Sequence, residues 1–203
     1  PNSRGRRVCN QFPAPRLKKS KPTLTPGPFD IMAPEGSMQS SKKLIISVIG
    51  GSQVTPEAED AAERVGKELA QRGVTVVCGG LTGVMEAVCK GAKSAGGTTI
   101  GILPDRGPDQ ANQWVDIPIC TDMGYARNVI VVYTGRAVIA VDGAYGTMSE
   151  IGHALGVGIP VIGLDTWTFS RDGQIDSQII LADDPVDAVD KALAAVAKSN
   201  NHH

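Results

Sequence analysis

Three glycine-rich turns, each at the end of a short apolar run, carry the residue types that hold phosphate. They are Gly50-Gly51-Ser52, Gly79-Gly80-Leu81-Thr82-Gly83 and Asp142-Gly143-Ala144-Tyr145-Gly146-Thr147. Glycine lets backbone come close to a ligand, and a helix starting after such a turn offers unpaired N–H groups to an anion. The third turn combines the most: Gly143 to Thr147 supplies backbone donors, a hydroxyl and a helix start together. One such turn is a weak signal, because tight turns use glycine anyway, and Gly50-Gly51 suits a structural turn as well as a binding loop. Three at successive strand ends are a stronger one, because an open parallel sheet brings them to one edge. None reads G-x-G-x-x-G with a downstream acid, and no G-K-[ST] follows, so dinucleotide-binding and Walker-type motifs are missing.

Two charged residues join these turns. Arg127, beside Asn128, falls in the first turn of an expected helix over 124–134. A cation there opposes the helix dipole; a bound anion would explain it, and a solvated surface arginine is the plain alternative. Glu150 falls in the first turn after Gly146-Thr147, where its charge suits the dipole with no ligand at all. Pairing with Arg127, binding a ribose hydroxyl and acting on a glycosidic bond are all open to it. His153, on the same helix, reads as structural.

Alternating elements must position these residues. Leu44–Ile49 is a nearly continuous apolar run, as in a strand buried on both faces. Thr55-Pro56-Glu57 gives an N-cap, an N1 proline and an early acid, opening a helix to about Arg72. Strands are then expected at Val74–Cys78, Thr98–Leu103, Trp114–Ile119, Ala137–Val141, Pro160–Leu164 and Ile179–Leu181. Helices are expected at Val84–Ser94, Gly124–Thr134, Gly146–Leu155 and from Asp184-Pro185 onward, with a loop or hairpin around Asp172-Gly173. Strand and helix in this order predict an α/β fold, an open parallel sheet with helices on both faces. The apolar Val129–Val132 segment suits either core or an interface between copies.

Composition agrees. With 203 residues, 41% hydrophobic and 20% charged, the chain suits one globular domain rather than disorder. Aromatics are 4%, so the core must be aliphatic. The net charge of −1 argues neither for nucleic acid nor for anionic lipid. No apolar run reaches the roughly 18 residues of a spanning helix. Charge is uneven, however: residues 1–43 carry nine Lys or Arg against two acids, and seven of the 13 prolines. That segment lacks apolar periodicity and reads as a disordered tail ahead of a domain over 44–203. Gly36-Ser37-Met38 and Asn201-His202-His203 resemble tag remnants, while the Arg-rich, acid-poor composition also fits part of an organelle transit peptide. A cytoplasmic protein is expected, or an organellar one in the latter case. Cys9, Cys78, Cys89 and Cys120 form no C-x-x-C pair, so free buried thiols are expected, with neither a disulfide framework nor a zinc site.

At these residues the chain resembles the LOG-like superfamily, also labelled lysine decarboxylase-like, whose hallmark is Pro-Gly-Gly-x-Gly-Thr-x-x-Glu. Here Asp142 to Glu150 occupy that stretch. Gly79-Gly80-Leu81-Thr82-Gly83-Val84-Met85 is similar to the family's GG-x-x-G-x-M turn, and Tyr125-Ala126-Arg127-Asn128 lies where the family has its functional arginine. The resemblance covers about 44–198 and implies a Rossmann-like fold in a homo-oligomer, dimer or tetramer.

Two branches divide its functional meaning. One hydrolyses the N-glycosidic bond of nucleoside 5′-monophosphates, typically cytokinin ribotides, and would make Arg127 and Glu150 catalytic. The other includes molybdenum cofactor carrier proteins, which bind a pterin phosphate (molybdopterin) without converting it. The departures favour the second. Asp142 replaces the hallmark Pro, Ala144 the second Gly and Ser149 the first of two acids, and Asn128-Val129-Ile130 replace the Lys and Met that the hydrolase branch carries nearby. A carboxylate at Asp142 repels phosphate unless it turns away or is protonated. The expectation is therefore a carrier of the molybdenum cofactor, with molybdoenzymes as possible recipients. Its binding residues would be Gly50, Gly51, Ser52, Gly79, Gly80, Thr82, Gly83, Met85, Arg127, Asn128, Gly143, Ala144, Tyr145, Gly146, Thr147 and Glu150, with no metal held directly by the protein.

Overall fold

The computed structural model describes residues 43–200. The tail expectations for residues 1–42, including Cys9 and Gly36-Ser37-Met38, and those for residues 201–203 lie outside the described residues. From Ile45 the chain runs as strand β1 (Ile45–Gly50), helix α1 (Pro56–Gln71), β2 (Thr75–Cys78), α2 (Val84–Ser94), β3 (Thr99–Leu103) and β4 (Ile117–Cys120). It continues with α3 (Asn128–Thr134), β5 (Val138–Val141), α4 (Tyr145–Gly156) and β6 (Val161–Leu164). A small hairpin, β7 (Ser170–Arg171) and β8 (Gln174–Ile175), precedes β9 (Ile179–Leu181) and α5 (Pro185–Asn200).

The local rules hold where they are strong. The Thr55 hydroxyl accepts the Ala58 N–H at 3.3 Å, and Pro56 opens α1. The Asp184 carboxylate accepts the N–H groups of Val186 at 2.8 Å and Asp187 at 3.0 Å, capping α5. Two expectations shift. The strand expected from Trp114 begins only at Ile117, because Asn112 captures the Trp114 N–H at 3.1 Å and holds a turn there. The helix expected over 124–134 splits into a tight 3-10 turn, Gly124–Arg127, followed by α3. Gly124, at φ +51°, donates its N–H to the Pro104 carbonyl at 3.0 Å instead of joining a longer helix.

Seven strands pair in the order β4-β3-β2-β1-β5-β6-β9, every pair parallel. Alternate residues feed opposite layers, as the strand period requires. Ile46, Val48, Val76 and Cys78 pack with α1, α2 and α5, whereas Ile49, Val77 and Ile102 pack with α3 and α4. The core is aliphatic throughout. This is a Rossmann-like single-domain fold. Successive connections leave β1 towards β2 and return beyond it to β5, so the strand order reverses between β1 and β5. In such sheets a crevice opens outside the carboxyl ends at that reversal. No helix among the described residues is long and apolar enough to cross a membrane.

Candidate functional site at the carboxyl edge of the sheet

A cavity of about 250 Å3 lies at that edge. Gly50, Gly51 and Ser52, leaving β1, form one wall, and Gly79 with Met85 of α2 forms another. The 3-10 turn and the start of α3 contribute Arg127 and Asn128, while the start of α4 contributes Ala144, Gly146, Thr147 and Glu150. Gly80, Thr82, Gly83, Gly143 and Tyr145 stand beside the cavity without lining it; they shape its turns. The Thr82 hydroxyl donates to the Ser52 carbonyl at 3.1 Å, and the Val84 N–H donates to the Gly51 carbonyl at 3.0 Å, tying the first two turns together. Ile49, Leu81 and Tyr125 also line the cavity; Ile49 falls outside every motif, and Leu81 and Tyr125 stand within motif stretches without being among the expected contacts.

The third turn opens α4 at the cavity and leaves backbone N–H groups there. The first bond of α4 runs from the Met148 N–H to the Ala144 carbonyl at 3.1 Å, and the N–H groups ahead of it have no intrahelical acceptor. Gly143, at φ +125°, makes the sharp entry: a Cβ there would lie 2.6 Å from the Thr147 side chain. The loop after β6 braces this turn from outside. The Thr166 hydroxyl donates to the Asp142 carbonyl, and the Trp167 indole N–H donates to the Ala144 carbonyl at 3.2 Å. Asp142 itself does not line the cavity.

Arg127 and Glu150 meet inside, with 3.8 Å between Nη1 and Oε1, and only 7% and 6% of each residue exposed. Arg127 Nη1 also donates to the Asn128 side-chain oxygen. Its Nε, fully buried, has no acceptor among the described residues. A buried guanidinium N–H left unmade costs stability unless something accepts it. Gly79 is what lets Arg127 in, since a Cβ there would lie 2.6 Å from Nη2 and 2.6 Å from the Met85 sulfur. Burial pulls the Arg127 pKa below its ordinary value against the attraction of Glu150. Burial pushes the Glu150 carboxyl up to about 7, with Arg127 opposing.

A raised carboxyl pKa means that the folded state keeps a proton the unfolded chain has already lost. The stability due to Glu150 is therefore complete below about pH 4.5 and is lost as pH rises through about 7. The expected loss is about 3 kcal/mol, and Glu150→Gln should abolish it. Urea unfolding of both proteins at pH 5 and pH 8 checks this; identical pH slopes would refute it.

Below the cavity, Cys78 and Cys89 bring their sulfurs to 3.5 Å, both buried. Cys120, expected to be buried, is exposed, because β4 is an edge strand. Among the described residues, no group of three or more His, Cys, Asp or Glu gathers as metal ligands would.

Residues 43–190 match the family model described as the SLOG cluster4 family. An uncharacterised protein of Archaeoglobus fulgidus is 50% identical over 123 residues, covering 61% of this chain and 81% of its own. A cytokinin riboside 5′-monophosphate phosphoribohydrolase of Mycobacterium marinum is 30% identical over 131 residues, covering 63% of this chain and 64% of its own, so less than two thirds of that relative is spanned. Among solved structures, the molybdenum cofactor binding protein of Rippkaea orientalis superimposes with a TM-score of 0.70 at 34% identity, over 77% of this chain and 99% of that one. The molybdenum cofactor carrier protein of Chlamydomonas reinhardtii gives 0.69 at 34% identity, over the same shares.

Proposed function

We propose that this chain, which belongs to the SLOG cluster4 family, binds a phosphorylated pterin, the organic part of the molybdenum cofactor, as cargo that it carries without converting. The observation that carries this reading is the buried Arg127 guanidinium, its Nε unspent, in a cavity that also holds the first turn of α4. The N-terminal N–H groups of α4, the Thr147 hydroxyl and Arg127 are the donor set that a phosphate takes. Gly51, Ser52 and Gly79 would receive the rest of the ligand. Support comes from the two cofactor-binding neighbours, each matched over 99% of its length. The same reading includes a homo-oligomer in the cytoplasm and a molybdoenzyme that takes the cargo on.

A second reading, hydrolysis of a nucleoside monophosphate, is favoured by one observation: Arg127 and Glu150 share the cavity, as that chemistry requires. Against it, Ala144 puts a methyl where the hallmark has glycine. Incubation with AMP separates the two. The carrier reading expects no adenine release; release that disappears in Glu150→Gln would make the protein a hydrolase.

A further inference from the structure

We infer that Tyr125 is the ring platform of this site, the face on which the ligand's flat heteroaromatic ring stacks. The inference rests on the phosphate-ligand reading and extends it to the other end of the ligand. Aromatic residues are 4% of the chain, and the core uses almost none. All three tyrosines stand in solvent instead: Tyr125 is 90% exposed, Tyr145 76% and Tyr133 54%. Of these, only Tyr125 lines the cavity.

Its backbone is fixed while its ring is free. The 3-10 turn that carries it is closed by the Ala126 N–H on the Met123 carbonyl at 3.1 Å, and the Asn128 N–H is bonded to the Tyr125 carbonyl. Two residues later the same turn delivers Arg127 to the floor, so one rigid piece of backbone presents both the cation and the aromatic face. Among the described residues the one ring pair is Tyr145 with Trp167, centroids 5.9 Å apart and planes tilted by 34°. That pair is already satisfied, and Trp167 is anchored to Ala144. Among the described residues Tyr125 has no such ring partner. A ring held at a cavity mouth beside a phosphate seat provides a stacking face for any planar base, because every such base has a π-face. A pterin and a purine share this chemistry.

The test is calorimetric titration of the full chain, of Tyr125→Ala and of Tyr125→Phe, with ribose 5-phosphate, AMP and neopterin monophosphate. Tyr125→Ala should lower the affinity for ring-bearing ligands relative to ribose 5-phosphate roughly tenfold or more, and Tyr125→Phe should restore it. The ring with the larger loss identifies the source, purine or pterin. An unchanged ratio, loss of all three affinities alike, failure of the phenylalanine variant to restore binding, or a change of oligomeric size in Tyr125→Ala would each overturn the inference. Phosphate-free neopterin separates the two readings. If it binds through Tyr125 while ribose 5-phosphate does not bind, the phosphate reading falls and the ring platform stands. If the unmodified protein binds none of the probes, both fall.

Discussion

Arg127→Met should weaken binding of phosphorylated ligands by one to two orders of magnitude. A hydrogen bond to a charged group is worth about 1.5–3 kcal/mol, or roughly 10- to 150-fold in affinity. Methionine keeps much of the stem that packs under Gly79 and removes the fork, including the Nε that has no acceptor within the described residues. The loss should be shared by ring-bearing and ring-free phosphates, which distinguishes it from the effect at Tyr125. The same change leaves Glu150 buried without its counter-charge, so its pKa should rise further above about 7. Calorimetry with ribose 5-phosphate, alongside a circular dichroism check of folding, reads the effect. Affinity within about threefold of the unmodified protein would show that Arg127 does not meet the anion.

Gly91→Ala should cost about 3 kcal/mol of folding stability or more. Helices α1 and α2 touch backbone to backbone. A Cβ on Gly91 would lie 1.8 Å from the Glu63 carbonyl oxygen, and one on Gly66 would lie 2.0 Å from that of Val88. Both obstacles are main chain, so no rotamer change relieves them and the helices must part. Because α2 carries Met85 into the cavity wall, ligand affinity should fall with stability. Gly152→Ala is the control: it is helical, meets nothing within 4 Å, and should gain up to about 1 kcal/mol by helix propensity. Denaturant unfolding of the three proteins checks both; equal midpoints for Gly91→Ala and the unmodified chain would contradict this account of helix packing.

What could be read in the sequence was whatever short-range rules dictate. Thr55-Pro56 and Asp184-Pro185 announce helix starts by capping chemistry alone, and the three glycine turns announce strand ends. Their gathering at one edge also follows, because a parallel sheet with crossover helices places every carboxyl end on the same side. Long-range packing leaves no such mark. Nothing local says that Arg127, two residues after an exposed tyrosine, is 7% exposed, and nothing local says that burial lifts the carboxyl of Glu150. Cys78 and Cys89 look unrelated until β2 and α2 pack together. Cys120 lies in an apolar run yet stands exposed, since only the strand order reveals an edge. The tight α1–α2 contact depends equally on tertiary structure: Gly66 and Gly91 look like poor helix residues until the partner backbone is seen against them. The motif glycines, by contrast, include several that shape turns without touching the cavity.

Cargo binding depends on a cavity built on Arg127 and the start of α4. Its most direct test is mass spectrometry of small molecules released by acid from freshly purified protein, run beside the same extract from Arg127→Met. A pterin phosphate should be released from the unmodified protein and be missing from the variant. A pterin phosphate recovered equally from both, or none recovered while AMP is hydrolysed, would contradict it.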